Sequence, residues 1–250
     1  MFDVSAYLAR INYSRSKAPT STTLRGLHSA HLLTVPFENL DIGVGRTIAL
    51  DEEVMVRKIV ERRRGGFCYE LNGAFAALLG AMGFQVSLLS ARVSRESGGE
   101  SPEFDHLCLR VDLERPWLAD VGFGELFLEP LRIEDGIEQR DPAGTFRLIK
   151  QGDRWQLEKS LGDSSWKREY SLSLQPHSMR DFEIRCRYHQ TSPESSFTQN
   201  RICTRATPQG RVTLSEMKLI VTENGQRTEQ VLLSEEGRER ALQEHFGIRL

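Results

Sequence analysis

The hydrophobic pattern of the chain changes from a helical period to a strand period near Gln85, and this change constrains the fold. Segments 21–33 and 69–83 place apolar residues three and four positions apart, which predicts helices. After Gln85, short segments such as 85–93 and 106–113 alternate in polarity between Gly, Pro and Asp turns, which predicts strands. The order of helices, then strands, then mixed signals predicts the α+β class.

Residues with strong turn or capping preferences mark the ends of several segments. Asp3 is a candidate N-cap for the first helix, and Gly83 predicts the end of the helix over 69–83. Asn224 followed by glycine predicts the tip of a β-hairpin, and Ser234 predicts the N-cap of a final helix. The last part of the chain is therefore expected to combine strands and a helix.

The composition excludes several classes of protein. A formal net charge of −2 argues against a dedicated nucleic-acid-binding protein. No apolar run approaches the ~18 residues of a membrane span, and residues 1–17 lack the basic-then-apolar order of a signal peptide. The cysteines have no framework spacing, which favours free thiols in a reducing compartment; they are Cys68, Cys108, Cys186 and Cys203. We therefore expect a cytoplasmic protein.

Cys68 differs from the other cysteines in its neighbours. Three arginines, Gly65 and Gly66 precede it, and the residues that follow are typical of the first turns of a helix. A thiol at a helix N-terminus has a lowered pKa, and the two glycines would let the backbone approach the sulfur and adopt positive φ. The alternative is a buried structural cysteine after an ordinary glycine turn.

His106 and Asp120 are candidate partners for this cysteine. A catalytic cysteine needs a base, and the base needs a group that orients it. His106 heads a predicted strand, and Asp120 lies near the end of the next apolar strand, so neighbouring strands could bring the two side chains together. The spacing alone leaves a catalytic triad and two ordinary structural residues as equal alternatives.

A zinc site is a further alternative at the same place. Alternation puts His106 and Cys108 on one face of a strand, and Cys68 could supply a third ligand. The sequence has no CxxC pair, no HExxH motif and no convincing fourth ligand. We therefore expect no metal.

The sequence resembles the bacterial arylamine N-acetyltransferases in five motifs that span most of the chain. Three of them hold the candidate residues: RGGFCYELN with Cys68, FDHLCL with His106 and WLADVGFG with Asp120. The other two are VPFENLDI at 35–42 and SPESSFTQNRICT at 192–204. Residues 130–185 contain nothing diagnostic.

The resemblance implies a fold and a set of site residues. The fold is an N-terminal helical bundle over 1–84, a central β-barrel over 85–185 and a C-terminal α/β lid over 186–250, with a cysteine-protease-like triad. The triad is Cys68 as nucleophile, His106 as base and Asp120 as its orienting partner. Backbone N–H groups of Cys68 and near Val93 would form the oxyanion site. The implied pocket residues are Phe37, Val93, Phe123, Gly124 and Phe197, and a supporting salt bridge joins Glu38 and Arg64.

The resemblance also implies an activity. The expected reaction is acetyl transfer from acetyl-CoA, as cosubstrate, to arylamines, arylhydrazines or hydrazines, by a ping-pong mechanism through an acetyl-cysteine. Alkyl amines with a pKa of ~10 are almost wholly protonated at pH 7, whereas aromatic amines and hydrazines are not almost wholly protonated, which is a chemical reason for these acceptors.

Other activities are compatible with the same three residues. A relative that closes a macrolactam from a carrier-bound acyl chain, a thiol hydrolase and a transamidase would share the thioester intermediate. A non-catalytic small-molecule binder on the same scaffold is an alternative of another class. In the preferred interpretation the partners are a CoA thioester donor and a small-molecule acceptor, with no nucleic acid and no membrane.

Overall fold

The computed structural model describes residues 2–250 of the chain. The helices are α1 (Val4–Arg10), α2 (Ser21–Thr34), α3 (Leu40–Gly43), α4 (Glu52–Val60), α5 (Cys68–Ala81), α6 (Glu183–Thr191), α7 (Ser196–Gln199) and α8 (Glu235–Phe246), with a 3₁₀ turn at Met179–Phe182. The strands are β1 (Phe37–Glu38), β2 (Gln85–Val93), β3 (His106–Asp112), β4 (Pro116–Ala119), β5 (Leu131–Arg132), β6 (Gln139–Asp141), β7 (Gly144–Gln151), β8 (Arg154–Ser160), β9 (Trp166–Ser173), β10 (Ile202–Thr207), β11 (Gly210–Ser215), β12 (Lys218–Glu223) and β13 (Gln226–Val231). The α+β class predicted from the sequence is confirmed.

Helix α5 is the centre of the helical part of the chain. Ten of its 14 residues are buried, because it packs against α1 and α4 on one side and against β2 and β3 on the other. The surrounding helices begin at residues that cap them: Asp3 accepts the N–H of Ala6 at 2.9 Å, and Asp51 accepts the N–H of Val54 at 3.0 Å. The helix that carries Cys68 is thus held by packing on two sides.

The central sheet has eight antiparallel strands in the order β5-β4-β3-β2-β9-β8-β7-β6. Its two edge strands meet through a side chain: Gln139 on β6 accepts the N–H of Arg132 on β5 at 2.7 Å and donates to its carbonyl at 2.9 Å. An isolated bridge between Asp135 and Leu148 adds a second link between these ends. The sheet is therefore a nearly closed barrel in which a glutamine amide takes the place of the last strand pairing.

The second sheet has the order β1-β10-β11-β12-β13, and α8 packs on β10 and β11. Asn224 and Gly225, with φ of 50° and 80°, form the predicted hairpin tip between β12 and β13. Ser234 accepts the N–H of Gly237 at 3.2 Å, so the predicted N-cap of the last helix is confirmed. Strand β1 also reaches the loop before Cys68, since Glu38 N–H donates to Gly66 O at 2.9 Å.

Strand β9 and helix α6 are among the elements that the sequence-based prediction did not include. Strand β9 has four consecutive buried residues, Glu169–Leu172, instead of alternation, and its charged start hides the strand signal. Helix α6 is polar over most of its length and offers no clear apolar stripe.

The division of the chain into three domains, with boundaries after residues 84 and 185, stays a prediction. No helix among residues 2–250 is long and apolar enough to span a membrane.

A buried cluster of charged side chains joins β1, α3, α4 and α5. Arg64 donates to Glu38 at 2.8 Å and to Asp41 at 3.2 Å. Lys58 contacts Asp41 and Glu70, each at 2.8 Å. All five side chains are at most 12% exposed, so each charge depends on the others for compensation. The cluster fixes the loop that leads into Cys68.

Replacing Arg64 is expected to destabilise the fold far more than replacing its neighbour Arg62. Arg64→Met leaves the Glu38 carboxylate without its main counter-charge, and we expect the free energy of unfolding to fall by about 3–5 kcal/mol in urea titrations. Arg62 is exposed, and Arg62→Met should change it by less than about 0.5 kcal/mol. Equal effects of the two substitutions would contradict the assigned role of the cluster.

Candidate active site

Cys68 is the first residue of α5 and is 4% exposed. Its N–H is one of the groups that a helix start leaves without an intrahelical acceptor. The glycines before it are needed for close packing, because a Cβ on Gly65 would lie 1.9 Å from Pro36 O and one on Gly66 would lie 2.6 Å from Glu70 Oε2. Neither glycine has positive φ, so that part of the sequence-based expectation is wrong.

The environment of the Cys68 sulfur favours the neutral thiol. Burial raises the pKa of Cys68 well above its usual value, and a hydrogen bond from the Leu107 backbone offsets this only in part. The sequence-based expectation of a lowered pKa at the helix N-terminus is therefore wrong in direction. A thiol in this state becomes an effective nucleophile when a neighbouring base takes its proton.

His106 and Asp120 are in direct contact. His106 begins β3, Asp120 follows β4, and the pairing of these strands brings His106 Nε2 to 2.7 Å from Asp120 Oδ2. Burial acts to raise the pKa of Asp120, but the charge and hydrogen bond of His106 outweigh it and the pKa is lowered. An ionised Asp120 holds the Nε2–H tautomer of His106 and leaves Nδ1 with a free lone pair.

Asn72 connects the nucleophile helix to both strands. Its Nδ2 donates to Leu107 O at 2.7 Å and to Asp120 Oδ1 at 2.9 Å. Its Oδ1 accepts the N–H of Val121 at 2.9 Å. Asn72 lies one turn after Cys68 on the same face of α5, and this spacing within the RGGFCYELN motif is the signal by which sequence analysis could have found it.

His28 holds the backbone of Asp120 from the opposite side. Its Nε2 accepts the Asp120 N–H at 3.0 Å, and its Nδ1 lies 2.9 Å from Leu128 O. Burial lowers the pKa of His28, which keeps the imidazole neutral and able to accept at Nε2. Nothing in the sequence distinguished His28 from an ordinary histidine on a helix.

Aromatic rings surround the His106 imidazole. Phe123 meets it edge to face at a centroid distance of 5.2 Å, and Tyr170 lies 5.3 Å away. Phe37 contacts Phe197 at 6.0 Å, and a Cβ on Gly124 would lie 3.6 Å from the Phe37 ring. The predicted pocket residues thus form two groups: Phe123 packs on His106, whereas Phe197 and Gly124 lie beside Phe37. Tyr170 was missed because its strand was not predicted.

Val93 lies beside Phe123, and its backbone N–H already donates a hydrogen bond within the protein. Val93 and Phe123 line one groove of about 590 Å³. The Val93 N–H donates to Ser101 Oγ at 2.8 Å, and the Ser94 N–H donates to Glu169 O at 2.9 Å. The expected contribution of N–H groups near Val93 to an oxyanion site is therefore not supported at these two positions. These hydrogen bonds do not involve the N–H of Cys68, the other donor expected at the oxyanion site.

Removing the Asn72 amide is expected to destabilise the site. Asn72→Ala leaves Leu107 O, one Asp120 lone pair and the Val121 N–H unpaired in the interior, at a cost of about 3 kcal/mol. In calorimetry the Tm should fall by about 6–12 °C. The exposed Asn200 provides the control, and Asn200→Ala should shift the Tm by less than about 2 °C. A Tm for Asn72→Ala close to that of the control would contradict the assigned role.

Comparison with known proteins identifies the family. A family profile described as N-acetyltransferase matches residues 20–250. The chain is 36% identical to the arylamine N-acetyltransferase of Escherichia coli K12, over 97% of this chain and 87% of that protein. Its structure is similar to that of arylamine N-acetyltransferase from Salmonella typhimurium, with a TM-score of 0.93, 33% identity and coverage of 98% of this chain and 90% of that one. It is also similar to Mycobacterium marinum arylamine N-acetyltransferase in complex with CoA, with a TM-score of 0.91, 31% identity and coverage of 98% and 93%. The chain is thus an acetyltransferase enzyme and belongs to the arylamine N-acetyltransferase family.

Proposed function

We propose that this enzyme transfers the acetyl group of acetyl-CoA to the nitrogen of arylamines, arylhydrazines or hydrazines by a ping-pong mechanism through acetyl-Cys68. The observation that carries the proposal is the buried Cys68 at the start of α5, beside a strand whose His106 is fixed by Asp120 at 2.7 Å. The M. marinum relative in complex with CoA supports a CoA thioester as the donor.

In the first half-reaction His106 is the base and Cys68 the nucleophile. Nδ1 of His106 takes the Sγ proton as the sulfur attacks the thioester carbonyl carbon. The tetrahedral intermediate collapses, the bond between the acetyl carbon and the CoA sulfur breaks, and the departing sulfur takes the proton from His106. One thioester is exchanged for another, so the step is nearly isoenergetic. The acetyl group remains on Cys68.

The Cys68 N–H is the donor that we assign to the oxyanion of the intermediate. It belongs to the first turn of α5, where the helix dipole and the free N–H groups favour negative charge. Close packing of Gly122 on the Cys68 backbone keeps this turn in place, since a Cβ on Gly122 would lie 2.7 Å from Cys68 Cα. A second donor is not assigned.

In the second half-reaction a neutral amine attacks the acetyl-cysteine. The amine proton passes to Nδ1 of His106, the bond between the acetyl carbon and Sγ breaks, and the Cys68 thiolate regains its proton from His106. Aromatic amines and arylhydrazines are mainly neutral at pH 7, and hydrazine retains a far larger neutral fraction than an alkyl amine does. Aromatic rings of an acceptor can lie against Phe37, Phe123 and Phe197. This is the physical basis for the acceptor class.

A cytoplasmic location belongs to the same proposal. All four cysteines are free and buried, which is typical of a reducing compartment. A fusion to a fluorescent protein expressed in bacteria would test it by fractionation, and recovery from the periplasm would contradict it.

Intact-protein mass spectrometry with acetyl-CoA and no amine tests the mechanism. We expect one added acetyl group that is lost on addition of an arylamine or hydrazine. Cys68→Ala should show no adduct, whereas Cys186→Ala should acquire it as the unsubstituted protein does. An acetyl group retained in Cys68→Ala would contradict the assignment of the nucleophile. Labelling only by a carrier-bound acyl chain would favour the macrolactam-forming alternative.

Asp120→Asn tests the orientation of the base. An amide at this position no longer selects the Nε2–H tautomer of His106, and we expect kcat/KM to fall by about 10³–10⁴-fold. Asp163, which is exposed, provides the control, and Asp163→Asn should leave kcat/KM unchanged. A loss of less than about tenfold in Asp120→Asn would contradict the role assigned to Asp120.

A further inference from the structure

Asp105, the residue before His106, forms a second, partly buried polar contact that acetyl transfer to Cys68 does not use. Its Oδ1 receives the Nε of Arg185 at 3.0 Å and lies 3.1 Å from Nε2 of His189, both on α6. The histidine contact is bent and falls short of ideal hydrogen-bond geometry. Burial acts to raise the pKa of Asp105, but His189 and Arg185 lower it to about 2, so the carboxylate is ionised at neutral pH.

The other ring nitrogen of His189, Nδ1, faces Ser195 at the start of α7. His189 Nδ1 lies 3.2 Å from Ser195 Oγ, and Ser195 Oγ accepts the N–H of Phe197 at 3.3 Å. With the Nε2–H tautomer of His189, the hydrogens point the same way: Phe197 N–H donates to Ser195, Ser195 O–H donates to His189, and the His189 N–H is directed toward Asp105 in the bent contact. We call Asp105, His189 and Ser195 the relay.

His189 and Ser195 of the relay are buried, Asp105 is partly buried, and the serine caps a helix. Ser195 is 2% exposed and is the N-cap of α7, while His189 is 7% exposed. A serine whose oxygen already accepts a backbone N–H and whose surroundings exclude solvent is not available as a nucleophile. The relay therefore acts by holding backbone and side chains in position.

Phe197 is the residue on which the relay converges. Its ring meets His189 at 5.1 Å, Phe67 at 5.9 Å and Phe37 at 6.0 Å between centroids. Asn39 holds the other side of the same residue by donating to Phe197 O at 3.0 Å. Ser195 caps the N-terminus of α7 by accepting the Phe197 N–H. We therefore expect loss of the relay to release the Phe197 ring from its place beside Phe37, while the hydrogen bond from Asn39 to Phe197 O remains.

We propose that the relay of Asp105, His189 and Ser195 is a positioning device that holds Phe197 as a wall of the acceptor pocket and thereby favours ring-bearing acceptors. This inference rests on the proposed ping-pong reaction. It assigns the relay to the second half-reaction, because the Phe197 ring packs on the rings of His189, Phe67 and Phe37, whereas the His106 ring packs on Phe123 and Tyr170. Acetylation of Cys68 by acetyl-CoA should not depend on it.

Acceptor dependence distinguishes this role from a general structural one. An arylamine needs a fixed wall for its ring, whereas hydrazine has no ring and gains nothing from Phe197. Ser195→Ala removes the hydroxyl that both His189 and Phe197 contact. We expect the KM for an arylamine to rise by about tenfold with little change in kcat, which is the pattern of lost uniform binding. The KM for hydrazine and the single-turnover rate of Cys68 acetylation should change by less than about twofold.

Matched variants complete the experiment. Ser196 is the exposed neighbour, and Ser196→Ala should behave as the unsubstituted enzyme. Ser195→Thr keeps the hydroxyl and should restore a low arylamine KM. His189→Leu should reproduce Ser195→Ala, and combining Ser195→Ala with Phe197→Ala should add little to Phe197→Ala alone, since the two changes affect one contact.

The outcomes separate the inference from the reaction on which it rests. If the unsubstituted protein is not acetylated by acetyl-CoA, the proposed function itself fails. If it is acetylated and discharged, but Ser195→Ala raises the KM for arylamine and hydrazine equally, or matches Ser196→Ala, the relay has no positioning role. Additive effects of Ser195→Ala and Phe197→Ala would overturn it as well. A selective rise in the arylamine KM that Ser195→Thr reverses would establish it.

Discussion

The site depends on the burial of one carboxylate, that of Asp120. A buried carboxylate is costly unless each oxygen is hydrogen-bonded. Asp120 Oδ2 is satisfied by His106, and Oδ1 by Asn72 and the N–H of Gly122. These partners come from β3, from α5 and from the turn after β4. Ionisation of one side chain thus requires that the helical part and the nearly closed barrel be docked in a single arrangement.

The same burial determines how the thiol is activated. In an exposed helix start, Cys68 would be a partly ionised thiolate, but in this interior its pKa is raised. In the proposed mechanism, proton transfer to His106 then accompanies attack on the acyl donor, which makes the orientation of His106 more important than the charge at the helix terminus. A neutral thiol between turnovers is also less open to oxidation, since susceptibility follows thiolate character. The buried charges of Lys58 and Arg64 support this arrangement by fixing the loop ahead of α5.

The C-terminal part of the chain contributes to the site through few contacts. Strand β1 pairs with β10 and also meets the loop before Cys68, so the second sheet is tied to the nucleophile helix by Phe37 and Glu38. Helix α6 meets the start of β3 at Asp105, and α7 places Phe197 beside Phe37. The residues that touch the acceptor in our proposal therefore come from segments far apart in sequence, whereas the proposed catalytic groups come from α5, from β3 and from the residue after β4.

The sequence by itself predicted the α+β class, most helices and several strands, because periodicity and capping are local properties. Its short motifs, through their resemblance to one family, also singled out Cys68, His106 and Asp120 as the candidate catalytic residues. It did not reveal β9, α6, Asn72, His28 or the contact between Asp105 and His189. Those depend on which buried polar atoms meet after the chain has folded, and the partners of Asn72 and His28 lie between 35 and 100 positions away. The direction of the Cys68 pKa was likewise decided only by the tertiary structure, because desolvation depends on how completely other segments cover the sulfur.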